Sequence, residues 1–172
     1  MKKLFFIISI NLLSLTILSA QNKNDSDLNT ALKTIFSSSS NCVNDFEKVL
    51  TPEQTQTLNN TLNAFEKKYL YKIVIVTTPT VKPFASFEEF AQDLDKFLAK
   101  DPRLDPTILI VVSKTLRQIQ VLSVDFIRYK LNNEDTQSIV STYAVPEFKK
   151  GDYFKGLEQA SEYFMKKLQP SN

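Results

Sequence analysis

The sequence predicts an α/β three-layer sandwich: a mixed, mostly parallel sheet with one β-hairpin, flanked by helices on both faces. Three observations carry that reading. Two unbroken apolar runs, Ile73-Val74-Ile75-Val76 and Ile108-Leu109-Ile110-Val111-Val112, have the composition of strands covered on both sides. Two amphipathic stretches open on capping-box patterns, Thr51-Pro52-Glu53-Gln54 and Ser86-Phe87-Glu88-Glu89. Gln118-Ile119-Gln120-Val121-Leu122 alternates directly after the short connection Ser113–Arg117, which predicts a hairpin strand antiparallel to the run before it.

The elements follow in order. Val43-Asn44-Asp45 is an isolated short edge strand. Thr51 opens a helix with proline at its first position, and Leu58, Leu62, Phe65 and Tyr69 keep helical spacing. The strand Lys72–Thr77 comes next. Phe87, Phe90, Ala91, Leu94, Phe97 and Leu98 then form the buried stripe of a second helix, and Pro102 and Pro106 punctuate the loop after it. Beyond the hairpin, a third helix is expected from about Asn133 to Tyr143, ending near Pro146. The last helix carries Phe154, Leu157, Phe164, Met165 and Leu168 on one face.

Glycine is scarce: the chain has two, Gly151 and Gly156. Gly151 follows a basic helical run, where a left-handed C-cap is expected, and Asp152 is placed to cap the next helix. The same scarcity excludes a P-loop and a glycine-rich dinucleotide turn. Histidine is absent, which excludes Ser-His and Cys-His catalysis and imidazole metal sites. Asp93-Leu94-Asp95 mimics an aspartyl-phosphatase motif but lies mid-helix, so it reads as a solvated face. Lys149 and Lys150 suit the C-terminal end of a helix dipole. Arg117 and Arg128 read as surface charges, and Phe84, Tyr129 and Tyr153 as contact aromatics in loops.

The N-terminal end has the pattern of an export signal. Lys2 and Lys3 precede an apolar stretch from Leu4 to Leu18, followed by Ser19-Ala20 and polar Gln21. Ser9, Asn11, Ser14 and Thr16 interrupt that stretch, which falls short of the roughly 20 apolar residues of a spanning helix. The expected organisation is a signal peptide over 1–20, a flexible polar linker over 21–41 and an α/β domain over 42–170. Loss of Lys2 and Lys3 leaves 19 basic against 19 acidic residues, so net charge gives no ground for a nucleic-acid partner. The mature form is expected in the periplasm or secreted, and not membrane-spanning. The lone Cys42 has no internal disulfide partner and reads as a small core residue.

From residue 42 to about 160 the chain resembles the TPM domain family, named after a thylakoid lumen protein, a photosystem II repair factor and a receptor modulator, and also catalogued as a TPM-type phosphatase domain. Val43-Asn44-Asp45 with Leu50-Thr51-Pro52-Glu53 is similar to its opening. Ile108–Leu122 around Arg117 is similar to its hairpin. Pro146-Glu147-Phe148, Gly151-Asp152-Tyr153 and Gly156-Leu157 are similar to its closing signature. In some relatives an acidic pocket binds calcium or another divalent ion. This chain departs there: a glycine-any-glycine-leucine-glutamate segment reads Ser123-Val124-Asp125-Phe126-Ile127, and leucine-threonine-aspartate reads Leu131-Asn132-Asn133. A glycine that begins the second apolar strand is replaced by Thr107.

Asp45 survives, with Asp105 and Asp125 as neighbouring candidate metal ligands. A hard cation needs several converging oxygens, and this is a thin set. The expectation is therefore an exported bacterial TPM-domain protein acting as a non-catalytic binding, assembly or modulatory module in the cell envelope, with a membrane or envelope protein as partner. No cofactor is expected. A divalent-metal-dependent phosphatase, holding calcium or another such ion, is the alternative that the resemblance implies.

Overall fold

The computed structural model describes residues 41–170 and Lys33. The expected signal peptide and nearly all of the expected linker lie outside the described residues. Four strands form one sheet in sequence order: β1 (Val43–Asp45), β2 (Ile73–Thr77), β3 (Ile108–Ser113) and β4 (Gln118–Ser123). β1, β2 and β3 are parallel, and β4 returns antiparallel to β3, with Ile108 opposite Ser123 and Ser113 opposite Gln118.

Helices α1 (Pro52–Tyr69) and α2 (Phe87–Leu98) connect the parallel strands. Thr51 and Gln54 cap α1 reciprocally, as the box pattern predicts. At α2 the box is only half made: Ser86 accepts from the Glu89 N–H, while the Glu89 carboxylate reaches one residue further back, to the Ala85 N–H.

β2 and β3 are buried along their whole length, and the period-2 alternation sorts their side chains between two cores. Ile73, Ile75, Ile108 and Ile110 pack with Leu58, Leu62 and Phe65 of α1. Val74, Val76, Leu109 and Val111 pack with Phe87, Phe90, Leu94 and Leu98 of α2. The two helices therefore lie on opposite faces, although both crossovers step in the same direction across the sheet. The two connections must differ in hand, and one is left-handed, against the strong preference for right-handed crossovers.

After β4 and a 3₁₀ turn (Asp125–Ile127), the chain runs through α3 (Asn133–Ile139), a π-helical stretch (Val140–Ala144) and α4 (Val145–Lys150), then α5 (Tyr153–Leu168). The expected helix end near Pro146 is corrected: Pro146 lies in the first turn of α4. A proline normally removes an i→i−4 bond, but the π-helical stretch has already broken that ladder, so the missing N–H is tolerated. α4 ends at Gly151, with φ of 86°, and Asp152 caps α5 by accepting from the Lys155 N–H.

Gly156 is a close-approach position. A Cβ there would lie 2.5 Å from the Phe148 ring and 3.0 Å from the Ala144 carbonyl oxygen. The bare backbone lets α5 press against α4 and the π-helical stretch, where Phe148 stacks on Tyr153 with centroids 4.7 Å apart.

Candidate functional site

The carboxyl ends of β1, β2 and β3 share one rim, and two carboxylates sit there. Asp45, the last residue of β1, accepts from the N–H groups of Val49 (3.1 Å) and Leu50 (2.8 Å) and from the Thr77 hydroxyl. Glu47 crosses the end of β2. Its N–H donates to Thr77 Oγ1 at 3.1 Å, and its carboxylate accepts from the N–H groups of Lys114 and Thr115 and from the Thr115 hydroxyl. An ionised carboxylate offers about four lone-pair directions, so each is already three-quarters engaged. Their work is to fix the turn after β1 and to tie it to the β3–β4 hairpin.

Beside this rim, between the hairpin and the end of α4, lies an open cleft of about 720 Å³. Val145, Phe148, Tyr153 and Ile119 supply apolar lining, while Lys114, Arg117, Lys149 and Lys150 bring four positive charges. Among the described residues, no carboxylate lines it. Lys150 is paired with Glu147 at 2.9 Å, and Lys114 lies 5.9 Å from the Tyr153 ring centroid. Among the described residues, neither Arg117 nor Lys149 has a carboxylate partner.

Arg117 closes the hairpin turn in the left-handed region, with φ of 54°, where an unbranched glycine is the low-strain choice. The arginine held there, at some cost in backbone strain, is part of the cleft lining. Burial pushes the Tyr153 phenol up, the Glu47 carboxylate adds to that, and Arg117 opposes it.

The structure does not bring Asp45, Asp105 and Asp125 together. Asp45 is level with Thr77 and Val112, at the carboxyl end of the parallel strands. Asp105 precedes β3 and Asp125 follows β4, so both lie at the other end of the sheet, beyond the Ile108–Ser123 pair. Four residues of β3 at about 3.3 Å each place ~13 Å between the two ends before either loop begins. Asp125 is ion-paired with Arg128 at 2.9 Å, and Asp105 lies near enough to Asp95 to help raise its carboxyl, after burial, which is the larger cause. Among the described residues, no group of three Cys, Asp or Glu side chains is arranged to hold a metal ion. Asp45, Asp105 and Asp125 thus do not converge on a single divalent cation.

The other singled-out residues are structural. Pro146, Gly151, Asp152 and Gly156 shape the α4–α5 corner that forms one wall of the cleft. Phe84 is a core residue rather than a contact aromatic, Tyr153 is mostly buried but reaches the cleft lining, and Tyr129 is exposed. Cys42 is fully buried, its thiol 3.3 Å from Asn63 Oδ1. Burial pushes that thiol up to about 11, Lys72 opposes the shift, and Glu66 adds to it. Sequence reasoning missed Glu47, whose role depends on a contact 67 residues away. It also missed the cleft as a unit, because Lys114 and Lys149 meet only through the fold.

Fold and site define an α/β module of the TPM type, with a cationic cleft at the carboxyl end of its sheet. The chain belongs to the TPM domain family, whose profile matches residues 43–167. The fold is similar to the solution NMR structure of the N-terminal domain of a protein from P.gingivalis, with a TM-score of 0.66 at 19% identity. That match covers 80% of this chain and 87% of the other. No curated protein matches the chain. Among the described residues, no helix is long and apolar enough to cross a membrane.

Proposed function

We propose that this TPM-domain protein is an exported, non-catalytic binding module of the cell envelope, which engages an anionic part of a partner protein through the cleft between the β3–β4 hairpin and α4. The observation that carries the reading is the one-sided charge of that cleft: among the described residues, Lys114, Arg117, Lys149 and Lys150 line it without a carboxylate. Clustered cations over a low-dielectric wall concentrate anionic partners and steer their approach. The apolar lining from Val145, Phe148 and Tyr153 supplies area to cover.

Phosphoryl transfer needs a metal or convergent cations around a positioned nucleophile. The separation of Asp45 from Asp105 and Asp125 and the engagement of Asp45 and Glu47 with backbone N–H groups favour binding over turnover. The export half of the proposal rests on the residue 1–20 pattern, and N-terminal sequencing of native protein should find Gln21 first.

A photo-crosslinking residue in place of Leu116, which is exposed at the hairpin tip, tests the binding half in intact cells. A discrete adduct with an envelope protein is expected, lost in the Arg117→Glu/Lys149→Glu double variant. Metal-dependent hydrolysis of a phosphate monoester that disappears in Asp45→Asn would overturn the proposal in favour of the phosphatase.

A further inference from the structure

β4 is an open edge. The Val124 N–H donates to the Thr107 carbonyl, which sets the alternation of the antiparallel ladder. With Ile108 opposite Ser123, the bonded pairs are then Leu122 with Leu109, Gln120 with Val111 and Gln118 with Ser113. The backbone N–H and C=O groups of Ile119, Val121 and Ser123 face away from β3, and among the described residues no backbone group bonds to them. β2 and β3 are wholly buried, whereas every residue of β4 retains solvent exposure.

Exposed edges invite pairing with another chain, and natural sheets blunt them with charges, prolines or bulges. β4, read Gln118-Ile119-Gln120-Val121-Leu122-Ser123, has no charge and no proline, and its register runs without a bulge. The opposite edge, β1, has three residues against six in β4. The start of β4 also runs directly into the cationic cleft, because Gln118 and Ile119 belong to its lining.

On the basis of the binding role proposed above, we infer that β4 receives an extended segment of the partner as a fifth strand, with the acidic end of that segment lying in the cleft among Lys114, Arg117, Lys149 and Lys150. Strand addition supplies main-chain hydrogen bonds that are indifferent to sequence. The cleft supplies selectivity for negative charge at one end. Six residues at about 3.4 Å each give ~20 Å of pairing length, enough for a short linear segment. Charge complementarity favours such a segment over a second copy of this chain, because β4 itself, Gln118–Ser123, carries no acidic residue to match the cleft.

Selection of a random peptide library on residues 21–172 tests this. Enriched peptides should be β-prone with acidic residues clustered at one end, and the Arg117→Glu/Lys149→Glu variant should no longer retain them. Binding of the best peptide should slow amide exchange at Ile119, Val121 and Ser123 by about tenfold or more. Ser123→Pro removes an outward donor without touching a bond to β3, and should weaken that peptide by about tenfold. Should Ser123→Pro fail to fold, the exchange data on the unaltered chain decide alone.

Acidic peptides that bind through the cleft but leave those three amides unprotected would overturn the strand addition and leave the binding role standing. Enrichment of basic peptides, or of none, would also overturn it, and the photo-crosslink then judges the binding role separately. A concentration-dependent dimer that protects the three amides without peptide would show that the occupant is a second copy.

Discussion

Replacing Gly156 by alanine is a small change with a large expected effect. In an ordinary helix interior this substitution stabilises by about 1 kcal/mol, through helix propensity. At Gly156 the added Cβ would meet the Phe148 ring at 2.5 and 2.7 Å and the Ala144 carbonyl oxygen at 3.0 Å. Phe148 cannot simply swing away, because it is stacked on Tyr153 at 4.7 Å, and the Ala144 carbonyl belongs to the π-helical stretch. Overpacking of this kind costs about 1–3 kcal/mol. Loss of the ring stack adds about 0.5–1.5 kcal/mol.

The net expectation is destabilisation by about 1–3 kcal/mol, or a fall in Tm of about 3–5 °C per kcal/mol for a domain of this size. Urea titration and thermal melting of residues 21–172 measure it. Phe148→Leu provides the internal check: with the ring gone, the alanine should be neutral or stabilising, a coupling of about 1–3 kcal/mol. A Gly156→Ala chain that melts higher than the parent would refute the close-approach assignment.

Gly151 makes the opposite case, since nothing lies within 4 Å of its absent Cβ and the cost of Gly151→Val comes from the backbone alone. At φ of 86° that strain should cost about 1–2 kcal/mol in a denaturation experiment. Asp45→Ala strands the N–H groups of Val49 and Leu50 and the Thr77 hydroxyl, and should cost about 2–4 kcal/mol. Millimolar calcium, magnesium or manganese should leave the parent melting curve in place, whereas an ion at 100 times its Kd would add about 2.7 kcal/mol. Cys42 is buried with its thiol pushed up to about 11, so a thiol reagent at pH 8 should react only as fast as the domain opens. Because the folded thiol titrates above its ordinary value of 9.0, its stabilising contribution is full below that pH and fades between 9 and 11. Cys42→Ala should therefore flatten that part of the stability-against-pH curve.

Periodicity and punctuation made most of the architecture legible in the sequence. Ile73–Val76 and Ile108–Val112 read as covered strands because every position is apolar, and both are fully buried. Thr51-Pro52-Glu53-Gln54 read as a helix start because both halves of its capping box are local, and both are made. The stretch Asn133–Lys150 was misread at Pro146, since a proline signals a helix end only where the i→i−4 ladder is intact. The site was much less legible. Asp45 is visible as a carboxylate two residues into a strand, yet its engagement with Leu50 and Thr77 depends on strand pairing. The cleft joins Lys114 to Lys149 through a hairpin and a helix corner, and no local pattern encodes that distance.

The opposite hands of the two crossovers have a consequence at the rim of the sheet. In open α/β folds, the ligand crevice forms where the connections leaving adjacent strands part to opposite faces. That usually requires a reversal of strand order, and this sheet has none. Here the parting comes from handedness: the chain leaving β1 heads for the α1 face and the chain leaving β2 for the α2 face. The topological switch point thus falls between Asp45 and Thr77. The protein has laid a bolt across it, with Asp45 latched to Thr77 and Glu47 spanning β2 to hold the hairpin. A ligand arriving at the carboxyl end meets that bolt before the crevice, and the open, charged cleft lies two strands over, at the start of β4.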